Sequence, residues 1–138
     1  MRLISIILFA SLAGCSSLQQ TSSSVPTPNP GSALVFFYRS QDSSGAAVSV
    51  DIMDNGLELG TLPAGSYFSY NANPGIHEFA LTTDTTALQR LKLEAGATYY
   101  IKADVSKDPL QFRPSLAVAF ELQGKSDIQQ LQRLRYYE

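Results

Sequence analysis

Short apolar segments separated by turn residues constrain the fold of this chain more than any other feature. Residues 33–38 are apolar throughout, which predicts a central strand buried on both faces. Residues 48–53 alternate between apolar and polar, which predicts a half-buried strand. Asn55-Gly56 follows, and because this pair accepts the positive φ angles of a type I′ turn, it predicts a hairpin to residues 57–62.

Further strand-like segments continue toward the C-terminus, each ended by turn residues. They are residues 67–70, 76–82, 88–93, 99–105 and 116–122. Residues 88–93 also suit a short helix, but the alternation of charged and apolar side chains favours a strand. About eight short strands at regular spacing predict a mainly β fold, an antiparallel β-sandwich of immunoglobulin-like form.

The C-terminal residues have a different pattern. Ser126, with Gln129 three residues later, resembles a helix capping box. The spacing of Ile128, Leu131 and Leu134 predicts one amphipathic helix over 127–136. We expect this helix to cover an edge or a face of the sandwich, which would keep that edge from pairing with another chain.

The N-terminus has the features of an export signal. Residues 3–13 are apolar but too few to span a bilayer, which takes about 20 residues. Leu12-Ala13-Gly14-Cys15 resembles the bacterial lipobox, in which the cysteine is acylated. We therefore predict a signal peptide at 1–14, a lipidated Cys15 with a disordered tether at 15–32, and one domain at 33–138. The alternatives are a secretory signal with a chance cysteine, or a short buried helix.

The predicted location follows from this signal. The residue after Cys15 is Ser16 and not the aspartate that typically retains such proteins in the inner membrane. This favours the outer membrane with the domain facing the periplasm, and a cell-surface location is the alternative. The tether is uncharged and rich in Ser, Thr and Pro, and it suits either a plain spacer or reach toward a partner.

Composition excludes several classes of function. Twelve acidic side chains against ten basic ones give no excess of positive charge for nucleic acid. One histidine and one cysteine exclude a Cys/His zinc site and an internal disulfide. The chain has no G-x-S-x-G nucleophile motif and no glycine-rich phosphate loop. We therefore expect no cofactor, no metal and no enzymatic activity.

Four residues are candidate binding residues: Arg39, Tyr67, His77 and Tyr100. His77 could be an acid–base group or a ligand, or it could pack and bond to a backbone carbonyl near the Pro74-Gly75 turn. Arg39 could bind an anionic partner, pair with a loop carboxylate or form a rim ion pair.

The tyrosines could form an exposed surface for protein or glycan, or could pair across strands within the sheet. Tyr100 is opposite in phase to Ile101, so we expect it to be partly exposed. Asp51 and Asp54 are expected to be solvated, and the loop 106–114 is a further candidate binding region.

Several of these motifs together carry a resemblance. Tyr38-Arg39 ends an apolar strand, Asn55-Gly56 forms a hairpin, and Gly65-Ser66-Tyr67 and Pro74-Gly75-Ile76-His77 follow. Over residues 33–123 the chain resembles a family of bacterial lipoproteins of unknown function. The resemblance implies a small transthyretin-like sandwich and an envelope location, but no activity.

These features favour a lipid-anchored, non-catalytic domain that binds protein as an accessory or scaffold of an envelope assembly. A module that binds a small ligand, a glycan or an enzyme as its inhibitor is the alternative. A hydrolase is a third hypothesis, for which only His77 provides a candidate group.

Overall fold

The computed structural model describes residues 25–42 and 44–136. The predicted signal peptide and Cys15 lie outside these residues, as does the part of the tether before Val25. Within this part of the chain, no helix is long and apolar enough to cross a membrane. Residues 25–32 are irregular, and the Asn29 amide donates to Asn71 Oδ1 at 3.0 Å.

The described residues form two β-sheets and one short helix, which confirms the predicted mainly β sandwich. The strands are β1 (Ala33–Arg39), β2 (Val50–Asp54), β3 (Leu57–Leu62), β4 (Ser66–Ala72), β5 (Gly75–Thr82), β6 (Thr86–Leu93), β7 (Thr98–Lys107), β8 (Phe112–Ala119) and β9 (Gln132–Arg133), and the helix is α1 (Glu121–Ile128).

One sheet has the strand order β8-β7-β1-β4-β9, and the other has the order β3-β2-β5-β6. Most neighbouring strands are antiparallel, as predicted. Two pairs are parallel, β1 with β7 and β4 with β9. The parallel pairs join segments distant in sequence, because adjacent parallel strands need a long connection.

The inner core lies between the two sheets and is built from alternate residues of the strands. On β1 these are Ala33, Val35 and Phe37. The Phe37 ring packs 5.4 Å from Phe68 and 5.1 Å from Phe79, measured between ring centroids. Aromatic rings bury large apolar areas, so this cluster stabilises the contact between the sheets.

An outer layer covers the other face of the five-stranded sheet. Its buried residues are Leu34, Phe36, Tyr38, Tyr100 and Ile128. Since α1 and the residues after it cover this face, β1 is buried along its whole length. The prediction of a central strand apolar on both faces is therefore confirmed.

The local turn chemistry also agrees with the sequence prediction. Asn55 and Gly56 have φ angles of 48° and 82°, as a type I′ turn requires, and they join β2 to β3. The segment 88–93 is a strand, because it lies within β6 and pairs with β5 along its length.

The bounds predicted for the C-terminal helix, 127–136, are wrong, because the helix spans Glu121–Ile128 and a turn at residues 129–130 leads into β9. The apolar residues spaced by three do not share one helix face. Ile128 and Leu131 pack in the outer layer, whereas Leu134 packs against the inner core. The chain therefore passes from the outer layer to the inner core at the edge of the five-stranded sheet, where β9 pairs with β4.

This C-terminal segment, residues 131–136, covers the edge of the sandwich that the helix was expected to protect. The Leu134 amide donates to the Tyr67 carbonyl at 2.7 Å. The Tyr136 hydroxyl donates to the Thr61 carbonyl at 2.8 Å, and its ring packs 5.3 Å from Phe68. An extended segment thus connects β4 of one sheet with β3 of the other.

Candidate functional site

The four candidate binding residues do not form one site. Tyr67 and Tyr100 lie on the outer face of the five-stranded sheet, on either side of Phe36, with ring centroids 6.2 and 5.0 Å from the Phe36 ring. Arg39 lies at the end of β1, and His77 lies on the inner face of the other sheet.

Tyr100 is buried, so the expectation that its phase exposes it is wrong. Only 1% of its surface is exposed, because α1 crosses directly over its ring. Its stacking on Phe36 corresponds to the cross-strand pairing alternative. Burial raises the pKa of the Tyr100 hydroxyl, which has no hydrogen-bond partner among the described residues.

Arg39 is fully buried and does not form the rim ion pair considered from the sequence. Its Nη2 donates to the Gly45 carbonyl at 2.6 Å, and its Nη1 donates to the carbonyls of Val48 and Leu62. Burial lowers the pKa of the guanidinium, and the nearby Asp104 carboxylate acts in the opposite direction. The side chain therefore ties the loop 40–49 to the sandwich.

His77 is buried with both ring nitrogens engaged. Nδ1 lies 2.7 Å from Asp54 Oδ2, and Nε2 lies 2.8 Å from the Asn73 carbonyl. The contact with Asn73 agrees with the alternative of a packed histidine near the Pro74-Gly75 turn. Asp54 is only 5% exposed, so the expectation that it is solvated is wrong. Its Oδ2 also accepts from the Tyr70 hydroxyl at 3.2 Å.

This arrangement explains why the histidine is suited to a structural role. An oxygen atom lies within hydrogen-bond distance of each ring nitrogen, so both nitrogens are engaged within the protein. Neither nitrogen then faces a substrate. Within residues 25–42 and 44–136, no group of three His, Cys, Asp or Glu side chains is arranged to hold a metal ion.

A more exposed feature lies where β8 ends and α1 begins. We define the apolar patch as Val118, Phe120 and Leu122, which are 45%, 89% and 84% exposed. The predicted strand 116–122 continues the alternation through these residues, but the strand ends at Ala119. Phe120 and Leu122 therefore lie beyond the end of β8, where their side chains are exposed to solvent.

The patch adjoins an open sheet edge. Among the described strands, β8 pairs with β7 alone. At the start of β8 the edge is covered, because the Phe112 amide donates to Asp84 Oδ2 and its carbonyl accepts from the Thr83 hydroxyl. Leu116 and Val118 lie an even number of residues after Phe112 on the same strand. Their backbone N–H and C=O groups therefore also point away from β7.

A cavity of about 400 Å³ lies on the outer face of the five-stranded sheet. Its apolar wall contains Phe36, Tyr67, Ile128 and Leu131. Val25, Pro26, Gln129, Arg133 and Arg135 complete its lining. Tyr67 is therefore the one candidate residue that lines this cavity.

Sequence reasoning missed the two arginines and the apolar patch. Arg133-Leu134-Arg135-Tyr136 alternates charged and apolar residues, which is a strand pattern that could have identified the extended segment. No local signal identifies the patch, because alternation through Leu122 normally indicates burial on one face.

The chain belongs to a family of proteins of unknown function. The model described as "Protein of unknown function (DUF2846)" matches residues 29–113, more than half of the chain. No curated protein matches the chain. The matched residues include β1 to β7, whereas the apolar patch and the arginines of the cavity lie after them.

Proposed function

We propose that this protein is a lipoprotein whose acylated Cys15 anchors the sandwich to the periplasmic face of the outer membrane. In this location it acts without catalysis, as an accessory or scaffold that binds another envelope protein. The lipobox-like sequence before Cys15 supports the anchor. The engagement of both His77 nitrogens supports a non-catalytic role.

The observation that carries the binding role is the exposure of the apolar patch. Three large apolar side chains within five consecutive residues are exposed next to an open strand edge. Exposed apolar groups of this kind mark interaction surfaces, since burying each one against a partner is favourable.

The proposed partner presents a β-strand with apolar side chains. Strand addition at β8 is confined to its C-terminal half, because Asp84 and Thr83 already bind the backbone of Phe112 and Pro114 has no amide hydrogen. A partner strand that pairs with Leu116 and Val118 would place its own side chains beside Phe120 and Leu122.

Crosslinking in intact membranes tests this proposal. The full-length protein, its Phe120→Ser/Leu122→Ser variant and its Cys15→Ala variant are crosslinked and recovered. We expect one stoichiometric envelope protein with the wild type and its loss with the other two variants.

The matched control is Leu57→Ser/Leu88→Ser. These two leucines are also exposed, by 67% and 60%, but they lie on the four-stranded sheet. The control must retain the partner. Recovery of the same partner by the patch variant would contradict docking at β8, and retention by Cys15→Ala would show that binding does not need the anchor.

A further inference from the structure

We propose that the cavity on the outer face binds an anionic amphiphile, a molecule with one apolar chain and a phosphate or carboxylate head. This activity is separate from the docking of a protein at β8. The cavity volume of about 400 Å³ lies in the range of small-molecule sites.

The cavity has one apolar side and one cationic side. Phe36, Tyr67, Ile128 and Leu131 provide the apolar wall. Phe36 and Ile128 belong to the cluster of the outer layer, and Tyr67 and Leu131 pack against it. Among the described residues that line the cavity, the charged ones are Arg133 and Arg135. An apolar chain against the wall would place its head group beside the guanidinium groups.

The backbone explains why both arginines lie on the same side. Arg133 is in β9, opposite Tyr67 of β4. Leu134 packs against the inner core, and in an extended chain its two neighbours point the opposite way. Burial of Leu134 therefore directs Arg133 and Arg135 toward the outer face, where planar guanidinium groups suit oxyanions.

Two neighbouring surface pockets have lining residues of different charge from those of the cavity. One is lined by Asp42 and Asp127, and the other by Glu121 and Lys125. No carboxylate is among the described residues that line the cavity. Arg133 and Arg135 are therefore the charged groups that this lining supplies, in a chain whose net charge is −2.

The position of the cavity also suits a ligand from the membrane. Val25 and Pro26 line it, ten or eleven residues after Cys15. A fully extended chain spans at most about 3.6 Å per residue, so the proposed acylation would hold the cavity within about 40 Å of the lipid. This source rests on the proposed anchor, whereas the chemistry of the cavity does not.

Hexyl phosphate is a suitable probe because it combines a short apolar chain with an anionic head. It is titrated into the full-length protein in phosphatidylcholine nanodiscs, with methyl NMR of Ile128 and Leu131 as the readout. We expect saturable shifts at both residues. Hexyl glucoside has the apolar chain without the anionic head, and inorganic phosphate has the anion without the chain. Each should bind at least about tenfold more weakly than hexyl phosphate.

Variants locate the two halves of the site. Arg133→Gln/Arg135→Gln should weaken hexyl phosphate binding about tenfold or more, because charge-assisted hydrogen bonds are lost. The control Arg90→Gln/Arg113→Gln removes the same charge from exposed residues on other strands and should bind normally. Gln129→Trp keeps both arginines and should obstruct the cavity.

Three results would overturn the proposal: no saturable shift, equal weakening by the control pair, or inorganic phosphate binding as tightly as hexyl phosphate. Binding by hexyl phosphate that persists in Cys15→Ala would support the cavity site, even if the anchor proposal failed. Thermal unfolding of each variant separates loss of binding from loss of the fold.

Discussion

The two faces of β1 are equally buried but are covered in different ways. The inner face packs against a second sheet, and both sheets supply buried apolar residues, such as Phe37 and Phe79. The outer face is covered by α1 and the residues after it, which reach it from the end of the chain. A full sheet thus covers one face, whereas a single short helix and a loop cover the other.

This difference has consequences for polar groups. The outer layer includes Tyr38 and Tyr100, whose hydroxyls reach the boundary between the sheet and α1. It also contains the cavity, because a short helix covers a sheet less completely than a second sheet does. The inner layer therefore determines most of the stability, and the outer layer provides the candidate ligand site.

The largest expected effect is in the inner core. Phe37→Ala removes a fully buried ring that contacts Phe68 and Phe79. We expect a loss of about 3–5 kcal/mol in the free energy of unfolding, because the apolar contact is lost and a cavity is left. Urea unfolding followed by circular dichroism measures this loss.

Phe120→Ala is the matched control, because it removes the same atoms from an 89% exposed position. Its free energy of unfolding should stay within about 0.5 kcal/mol of the wild type. A comparable loss in both variants would contradict the assignment of Phe37 to the core and of Phe120 to the surface.

These two phenylalanines also show how far the sequence predicts the fold. Phe37 lies in a continuous apolar run, which occurs where a strand is covered on both sides, so its burial is predictable. Phe120 belongs to an alternating run of the same kind of residues, but the strand ends at Ala119 and α1 begins directly after Phe120. The end of that strand depends on tertiary packing, because no glycine or proline marks it.

The same limit applies to the candidate sites. The packed His77 follows from the turn before it, but its partner Asp54 comes from another strand and becomes its neighbour only when β2 pairs with β5. The cavity combines residues from both ends of the chain. Periodicity describes which face a residue occupies, and it does not determine which distant segment covers that face.

An intermediate effect is expected where α1 meets the sheet. Gly124 is buried, and a Cβ atom there would lie 2.6 Å from Tyr100 Cδ1. Gly124→Ala should therefore lower the free energy of unfolding by about 1–3 kcal/mol, because overpacking displaces the helix. This is opposite to the gain that alanine gives in an unconstrained helix.

A double-mutant cycle identifies the cause. Tyr100→Ala removes Cγ and Cδ1, two of the three Tyr100 atoms that the new methyl group would meet, so Gly124→Ala should be less destabilising in that background. An unchanged cost would show that the Tyr100 ring is not the cause of the destabilisation. Thermal unfolding of the four proteins provides the comparison.

The smallest effects distinguish the two buried tyrosines of the outer layer. The Tyr38 hydroxyl donates to Asp127 Oδ2 at 2.9 Å, whereas the Tyr100 hydroxyl has no partner among the described residues. Tyr38→Phe should lower the free energy of unfolding by about 1–2 kcal/mol. Tyr100→Phe should raise it by about 1 kcal/mol, because an unsatisfied buried hydroxyl is removed.

The pH dependence sharpens this comparison. Burial raises the pKa of both hydroxyls above the usual value of 10.0, and at Tyr38 the hydrogen bond to Asp127 and its charge add to the rise. The folded protein therefore holds these protons more tightly than the unfolded chain, and its stability falls as pH increases above about 10. Each Tyr→Phe variant should show a smaller fall than the wild type in urea midpoints between about pH 9 and 11. Parallel curves for all three proteins would contradict the burial of these hydroxyls beneath α1.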